Sequence, residues 1–374
     1  MSESVDILVI GGGISGVSLA GRLAPRARVA LAEAEDHLGT QSTARSAALF
    51  GEAHGPAEVR RLCGMSRAFF AGPPDGFSEA PLCGPRRIVV YCGESDVDRL
   101  RTEFEAAGTT AAVEWLEAGE VAAACPLLAP GTAAAGFMEP DAFDLEPHAL
   151  LQSFARIVRR SGGVILTASP VEAIERRGSG WRVKAGPHEI SCGIVVDAAG
   201  AWADRVAELA GARPLGLTPM RRTAATMPVP SELAAHVAGH PAAIPVDESF
   251  YFKPDAGAIM VSLSEETPSE PCDAYPDDMD VALALERFHA ATVVPRARPI
   301  ATWAGLRTFA PDRLPVVGFD PGRDGFFWYA GQGGSGIEMS PALSAIGTKV
   351  LLGKILEGPE AELAASLGPG RLAR

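Results

Sequence analysis

Asp6-Ile7-Leu8-Val9-Ile10-Gly11-Gly12-Gly13-Ile14-Ser15-Gly16 decides the reading of this chain. An apolar run meets a tight glycine cluster, and Val17 to Leu23 then reads as a helix rich in small residues. A second apolar run, Val29 to Ala32, ends in Glu33, about 20 residues past the turn. Together these form a dinucleotide-binding unit of strand, turn, helix, strand and acid. Gly11 permits the tight turn, Gly13 lets the backbone approach a pyrophosphate, and Gly16 allows the helix to pack closely on the strand. Ile14 and Ser15 open the helix, where free N–H groups and the positive dipole end favour phosphate. Glu33, with Ala34 beside it, is placed to accept hydrogen bonds from ribose hydroxyls, and its charge disfavours a 2′-phosphate, hence NADP. Glycines used only for packing in a βαβ crossover would not explain the acid that closes the second strand.

Composition narrows the class. A chain of 374 residues with 47% hydrophobic content can bury a large core and fill two or three domains. A net charge of −13 argues against nucleic acid, whose phosphates need a basic face. The six cysteines contain no CxxC pair and read as thiols of a reducing compartment, neither disulfides nor metal ligands. The start Met1-Ser2-Glu3-Ser4 lacks the basic segment of a signal peptide, and no apolar run approaches the length of a membrane span, so a cytoplasmic location is expected.

Along the chain, Gly39 to Ala48 is polar, glycine-led and then helix-like. It either supplies Ser42, Thr43, Arg45, Ser46, Ala47 and Ala48 to a nucleotide or is a helix start capped by Ser42 or Thr43. Glu58 to Phe70 has helical spacing, Gly72 to Phe77 breaks the pattern, Arg87 to Tyr91 is strand-like, and Asp96 to Ala107 reads as a surface helix. Asp144 is placed to cap a helix running to about Arg160. A meander, Val171–Arg176 and Trp181–Lys184, leads to a buried strand, Ile194 to Asp197, ending in Ala198-Ala199-Gly200-Ala201-Trp202, small enough for a ligand to approach. From Thr218 to Thr302 prolines are frequent and Glu248 to Leu263 reads as a hairpin of a substrate-side sheet. His236 and His240 have a zinc-compatible spacing but no third ligand or intervening acid, so no metal is expected. Two dense motifs close the chain, Trp303 to Gly318 and Phe326 to Glu338. The second leads from a strand through Gly331, Gly333, Gly334, Ser335, Gly336 and Ile337 into a helix from Pro341 to Ile355. A glycine turn at each end describes a cofactor that spans the domain, and FAD requires the second turn where NAD does not.

These residues resemble the D-amino-acid oxidase superfamily of FAD enzymes. The likeness runs the full length and is strongest to bacterial D-arginine dehydrogenases: Ser42 to Ala48, Arg213 to Leu217, Arg222, Asp247 to Tyr251, Lys253 to Gly257, Gly305, Arg307 and Gln332-Gly333-Gly334 stand where that family has them. The resemblance implies an α/β fold. Its Rossmann-like FAD domain of parallel sheet would comprise 1–84, 142–214 and 303–374, and a substrate domain on a mixed or antiparallel sheet 85–141 and 215–302. It implies non-covalent FAD, with Val171, Ala199, Gly200 and Trp202 among the cofactor contacts, and a substrate carboxylate held by Arg222, Arg307, Tyr251 and the backbone at Gly334. The guanidinium fork fits that role, because it grips a carboxylate bidentately and fixes the α-carbon before the flavin. Arg307 lies in an apolar stretch where an unpaired charge is costly, so it needs an anion. Arg222 beside Arg221 could equally be a surface charge, and Tyr251 between two phenylalanines could be core.

The departures concern specificity. Ile88 stands where the resemblance implies a carboxylate for a substrate guanidinium, Leu49 in place of a histidine, His54 in place of a tyrosine and Glu338 in place of a glutamine. Leu49, Ile88, Ala242 and Ile244 then describe an apolar side-chain pocket, and Glu338 could hold an ammonium, take its proton, pair with Arg45 or face solvent. The expected reaction is oxidation of the α C–N bond of a D-amino acid with an apolar side chain by hydride transfer to flavin N5. Oxidation of an N-substituted amino acid of the sarcosine, glycine or opine type is the alternative, and a non-catalytic flavin subunit the second. Oxygen, a quinone or a protein would be the electron acceptor.

Overall fold

A computed structural model describes residues 2–372 of the chain. The opening run forms a strand, Ser2–Ile10, lying parallel between Val29–Ala32 and His188–Asp197. Val164–Leu166 extends the sheet beyond Val29–Ala32, and Phe326–Ala330 with Val316–Phe319 extends it beyond the end of His188–Asp197. The meander Val171–Arg177 and Gly180–Ala185 pairs with the first half of His188–Asp197, completing eight strands. Ile7 and Val9 face one apolar layer and Leu8 and Ile10 the other. A parallel strand covered on both faces must be apolar at every position, which is why Ile7 to Ile10 shows no alternation.

Helix Ile14–Leu23 follows the glycine turn and packs with Pro147–Arg160 and Ser340–Leu351 on one face of the sheet. The close approach depends on glycine: a Cβ at Gly16 would lie 1.9 Å from the Gly11 carbonyl oxygen, and one at Gly21 would meet the Phe154 ring at 2.9 Å. The last of these helices ends at Leu351, short of the expected Ile355, and a further helix, Gly358–Leu367, follows. Asp144 is no helix cap. The helix begins at Pro147, whose missing N–H suits a first turn, and Asp144 sits in a short strand, Phe143–Leu145, bonded to Lys253 and Arg86. Residues 37–46 form turns instead of a capped helix, and Thr43 accepts the Ile14 N–H at 3.0 Å, capping the first helix from 29 residues away.

A second, nine-stranded sheet runs Glu114–Glu117, Ala135–Glu139, Ile88–Cys92, Ala242–Pro245, Tyr251–Asp255, Ala258–Ser262, Thr218–Met227 and Ala301–Phe309, with Thr267–Pro268 beside the start of Thr218–Met227. Its pairs are antiparallel except Ile88–Cys92 with Ala242–Pro245. Ala301–Phe309 lies along Thr218–Met227 from end to end, so the expected boundary at 303 falls inside a strand of this sheet.

Side chains alternate between faces with period two, and directly paired residues share a face. The register Arg307–Met220, Gly305–Arg222, Ala224–Ser262 and Ser262–Tyr251 therefore places Arg307, Arg222 and Tyr251 together. Phe252 and Ala243 pair on the opposite face, which puts Ile244 and Ala242 beside Tyr251, and the pairs Ala242–Ile88 and Ile88–Glu139 carry the row onward. The other face, with Val89, Ala243, Phe252, Val261 and Met227, packs on helix Asp278–Ala291 through Ala284 and Phe288. A three-stranded sheet of Leu49–Phe50, Phe143–Leu145 and Cys83–Pro85 lies against the first of these faces, through Lys253 on Asp144 and Ile88 on Gly51.

Candidate active site

A cavity of about 480 Å³ begins at the first glycine turn and ends at the last. Gly11, Gly13, Ile14, Ser15, Glu33 and Ala34 line one end, with Ser42, Thr43 and Ser46 along one side and Val171, Ala199, Gly200 and Trp202 along another. Arg307, Gly333, Gly334, Gly336 and Ile337 line the far end. A Cβ at Gly200 or Gly334 would meet nothing within 4 Å, so both present bare backbone to open space. Glu33 accepts the Gly12 N–H at 2.5 Å and the Glu35 N–H at 2.9 Å, and burial raises its carboxyl above the ordinary range against those two bonds.

Several expected cofactor contacts stand off this cavity. Gly16 is spent on packing against Gly11. Arg45 reaches away to Asp273 and to the Ala274 and Ala304 carbonyls, and Gly305 lies against its side chain. Ala47, Gly331 and Ser335 are not among the lining residues, and Ala48 lines a neighbouring cavity with Arg86, Asp144 and Lys253. Leu306, Gln332 and Ser169 line the main cavity without having been expected there, and Ala198 does so as the small-residue strand end implied. Gln332 carried a signal, since it stands inside the last glycine motif, but Ser169 reaches the cavity only because its N–H bonds the Glu33 carbonyl.

The clamp residues converge beside the far end. Arg307 is buried, its Nη2 donates to the Arg45 carbonyl at 2.8 Å, and its Nη1 has no partner. Burial pushes the guanidinium down to about 10; the phenol of Tyr251 opposes that shift and the charge of Arg222 adds to it. It remains a cation at neutral pH. Arg222 makes only long bonds, to the Glu265 and Ser264 carbonyls at 3.4 and 3.3 Å and to Glu266 at 3.4 Å. Glu266 is already engaged by Arg313 at 2.6 and 3.0 Å, so Arg222 has room for a better acceptor.

Ile88 and Ala242 are buried, and Leu49 and Ile244 pack against the same cluster. The wall they make is less apolar than the sequence implied, because Glu139 stands beside Ile88 and Glu338 reaches the Gly51 N–H at 3.1 Å. Glu338 does not pair with Arg45, whose partner is Asp273. His54 lies with its Cδ2 near Gly51 and its Nε2 buried without a partner. His236 sits on a short helix, Ala234–Ala238, while His240 lies beyond its end, buried, and is pushed down to about 4 chiefly by that burial. The two histidines thus do not share a helix face.

The family description "FAD dependent oxidoreductase" (DAO) matches residues 6–349. The chain belongs to the DAO family of FAD-dependent oxidoreductases. Among its relatives, glycine oxidase of Geobacillus kaustophilus is 25% identical, the alignment covering 100% of this chain and 98% of that protein. Human mitochondrial dimethylglycine dehydrogenase is 24% identical over 84% of this chain and 39% of its own length. Of solved structures, L-proline dehydrogenase from P. horikoshii superposes with a TM-score of 0.85 at 21% identity, covering 100% and 99% of the two chains, and the Geobacillus glycine oxidase with 0.83 at 22%, covering 97% and 98%. These place the fold in the DAO class and give no special closeness to D-arginine dehydrogenase.

FAD is the cofactor of the DAO family, and the residues present fit it. A single cavity joins two glycine turns, an acid at a strand end, the N-terminus of the first helix and the unpartnered Nη1 of Arg307. Among the described residues no helix is long and apolar enough to cross a membrane.

Proposed function

We propose that this DAO-family enzyme oxidises the C–N bond of an α-amino acid or N-substituted amino acid whose carboxylate is held by Arg307, Arg222 and Tyr251. The observation that carries this reading is the buried, half-satisfied guanidinium of Arg307 at the end of the cofactor cavity, with Arg222 loosely held on the same sheet face. A buried cation with a free fork edge is stabilised by an anion that can take two parallel bonds, and a carboxylate has that shape.

FAD, when bound, supplies the two-electron acceptor that takes a hydride from the α-carbon. The chain's own residues do the remainder. Arg307 and Arg222 neutralise and orient the carboxylate, Tyr251 adds an O–H from two strands beyond that of Arg222, and Gly334 offers bare backbone. Holding one end of a small substrate in this way fixes its α-carbon against the cofactor and removes the entropic cost of orientation from the chemical step. Leu49, Ile88, Ala242 and Ile244 keep water from the reacting carbon. The imino product is then open to hydrolysis in solvent.

A D-amino acid with an apolar side chain is the substrate that this wall favours. The N-substituted alternative is supported by the relatives named glycine oxidase and dimethylglycine dehydrogenase, which match along most of this chain. Purified holoenzyme mixed anaerobically with a panel of D- and L-amino acids, glycine, sarcosine and dimethylglycine separates these readings by loss of the flavin absorbance. Bleaching by apolar D-forms alone supports the first, and bleaching by glycine and N-methyl glycines alone the second. A flavin that none of them reduces would overturn both.

A further inference from the structure

Three carboxyl groups, two of them near one guanidinium, gather around the backbone that follows strand Leu49–Phe50. Glu52 pairs with Arg67, whose Nη2 also lies 4.0 Å from Glu139 Oε1. Glu139 Oε1 accepts the Glu52 N–H at 2.6 Å, and Glu338 Oε2 accepts the Gly51 N–H at 3.1 Å. The backbone at 51–52 is thus strung between two carboxyls from different parts of the fold, one on the second sheet and one just past the last glycine turn. The space between them is tight: a Cβ at position 51 would lie 3.0 Å from Glu139 Oε2 and 2.9 Å from Ile88 Cδ1. Glu139 Oε2 is buried with no partner, as is His54 Nε2 nearby. The groups acting on Glu338 are Glu139, the buried thiol of Cys63 and the hydroxyl of Ser335, while Glu52, His54 and the cation Arg67 surround Glu139.

Full ionisation of Glu52, Glu139 and Glu338 would leave two negative charges uncompensated by Arg67 in a buried cluster, so the cluster holds a proton. Burial above all, with the like charge of Glu139 adding to it, pushes Glu338 up to about 8. Glu338 follows Ile337, which lines the cofactor cavity, and it keeps part of its surface accessible, whereas Glu139 does not. An amino acid reaches the enzyme mostly as an ammonium ion and can lose a hydride only as the neutral amine, so a base near the nitrogen lets the abundant form react. Leu49 offers none.

Resting on the reading that the substrate is an amino acid, we propose that Glu338 accepts the proton of the substrate's ammonium group, with Glu139 across Gly51 as its positioning residue. One N–H bond of the ammonium breaks and one O–H bond forms on Glu338. The amine lone pair is released, and Glu338 becomes a neutral acid that needs no counter-ion while it is covered. The cluster carries one proton more after the step than before it, and Arg67 is then opposed by one charge fewer.

The test uses FAD-loaded enzyme as wild type, Glu338→Gln, Glu338→Asp and Glu139→Gln. Anaerobic bleaching by substrate is followed from pH 6 to 10, and the absorbance of the oxidised flavin is titrated over the same range without substrate. In the wild type the bleaching rate rises about tenfold per pH unit and levels near pH 8. The substrate-free flavin band moves in the same range as the charge appears close to it. Glu338→Gln loses the flavin-band transition and the rising limb, Glu338→Asp keeps both at a shifted position, and Glu139→Gln moves both to lower pH by relieving the like charge. A limb and a flavin transition that are unchanged in Glu338→Gln overturn the proposal, and so does Glu139→Gln leaving both where they were. If no amino acid bleaches the flavin, the amino-acid reading fails, and the substrate-free titration still decides whether the two carboxyls share a proton beside the flavin.

Discussion

On the proposed function, Arg307 is the residue on which substrate binding turns. Its position inside an apolar strand, bonded through one edge to the Arg45 carbonyl, leaves the other edge for an anion. Arg307→Ala removes a charge-assisted contact and should raise KM about 100-fold, roughly 3 kcal/mol, while the flavin spectrum stays that of the wild type. Steady-state kinetics beside an absorbance scan checks both halves. Arg307→Lys should recover little of the loss, because a single ammonium cannot reproduce the fork. At the opposite end of the cavity, Gly16→Val would press a branched side chain on the Gly11 carbonyl, which a Cβ alone meets at 1.9 Å. That variant should be recovered without flavin, as read by its absorbance after desalting.

At the scale of elements, Ala301–Phe309 couples the clamp to the final glycine turn. The ring of Phe309 lies 2.3 Å from where a Cβ of Gly333 would stand, Arg313 stacks on that ring at 4.1 Å, and the fork of Arg313 holds Glu266. Because Glu266 is occupied, it draws only weakly on Arg222. Arg313→Ala should free Glu266 to capture Arg222 and raise KM about fivefold with kcat kept. Arg313→Ala combined with Glu266→Gln should return KM toward the wild type, since the competing anion is gone. The double-mutant cycle isolates that coupling, which is expected to be on the order of 1 kcal/mol for partly exposed charges.

For the whole molecule, titration sets a window of stability. Burial raises the carboxyls of Glu33, Glu139, Asp197 and Glu338 above their unfolded range. A raised carboxyl binds more protons folded than unfolded, so stability declines as pH climbs from the unfolded value near 4.5 through the folded one, about 8 for Glu338. His240 acts on the other side. It is neutral when folded, down to about 4, so the unfolded chain takes up protons first and stability falls as pH drops below about 6.5. Four raised carboxyls outweigh one histidine, so thermal melts should peak on the acid side of neutrality and decline toward pH 9, and Glu338→Gln should gain several degrees at pH 9 while changing little at pH 5. Added FAD should raise the melting temperature of the apoprotein with the logarithm of its concentration.

The sequence by itself determined the first unit and its chemistry. Gly11, Gly13, Gly16 and Glu33 lie within one continuous strand, turn, helix and strand end, so their placement follows from local geometry, and the closing glycine motif marks the far end of the cavity in the same way. Arg307 was also legible, because a charge between apolar neighbours must have a partner. Tertiary structure decided the rest. Register across six strands brought Arg222, Tyr251, Ile88 and Arg307 to one face, and a one-residue slip would have dispersed them. Asp144 was misread as a cap because an acid before a helix carries the same local signal whether it meets backbone N–H groups or, as here, a lysine 109 residues away. Glu139 gave no signal at all: its neighbours Glu52 and Glu338 are 87 and 199 residues distant, and only folding makes three scattered acids share one environment.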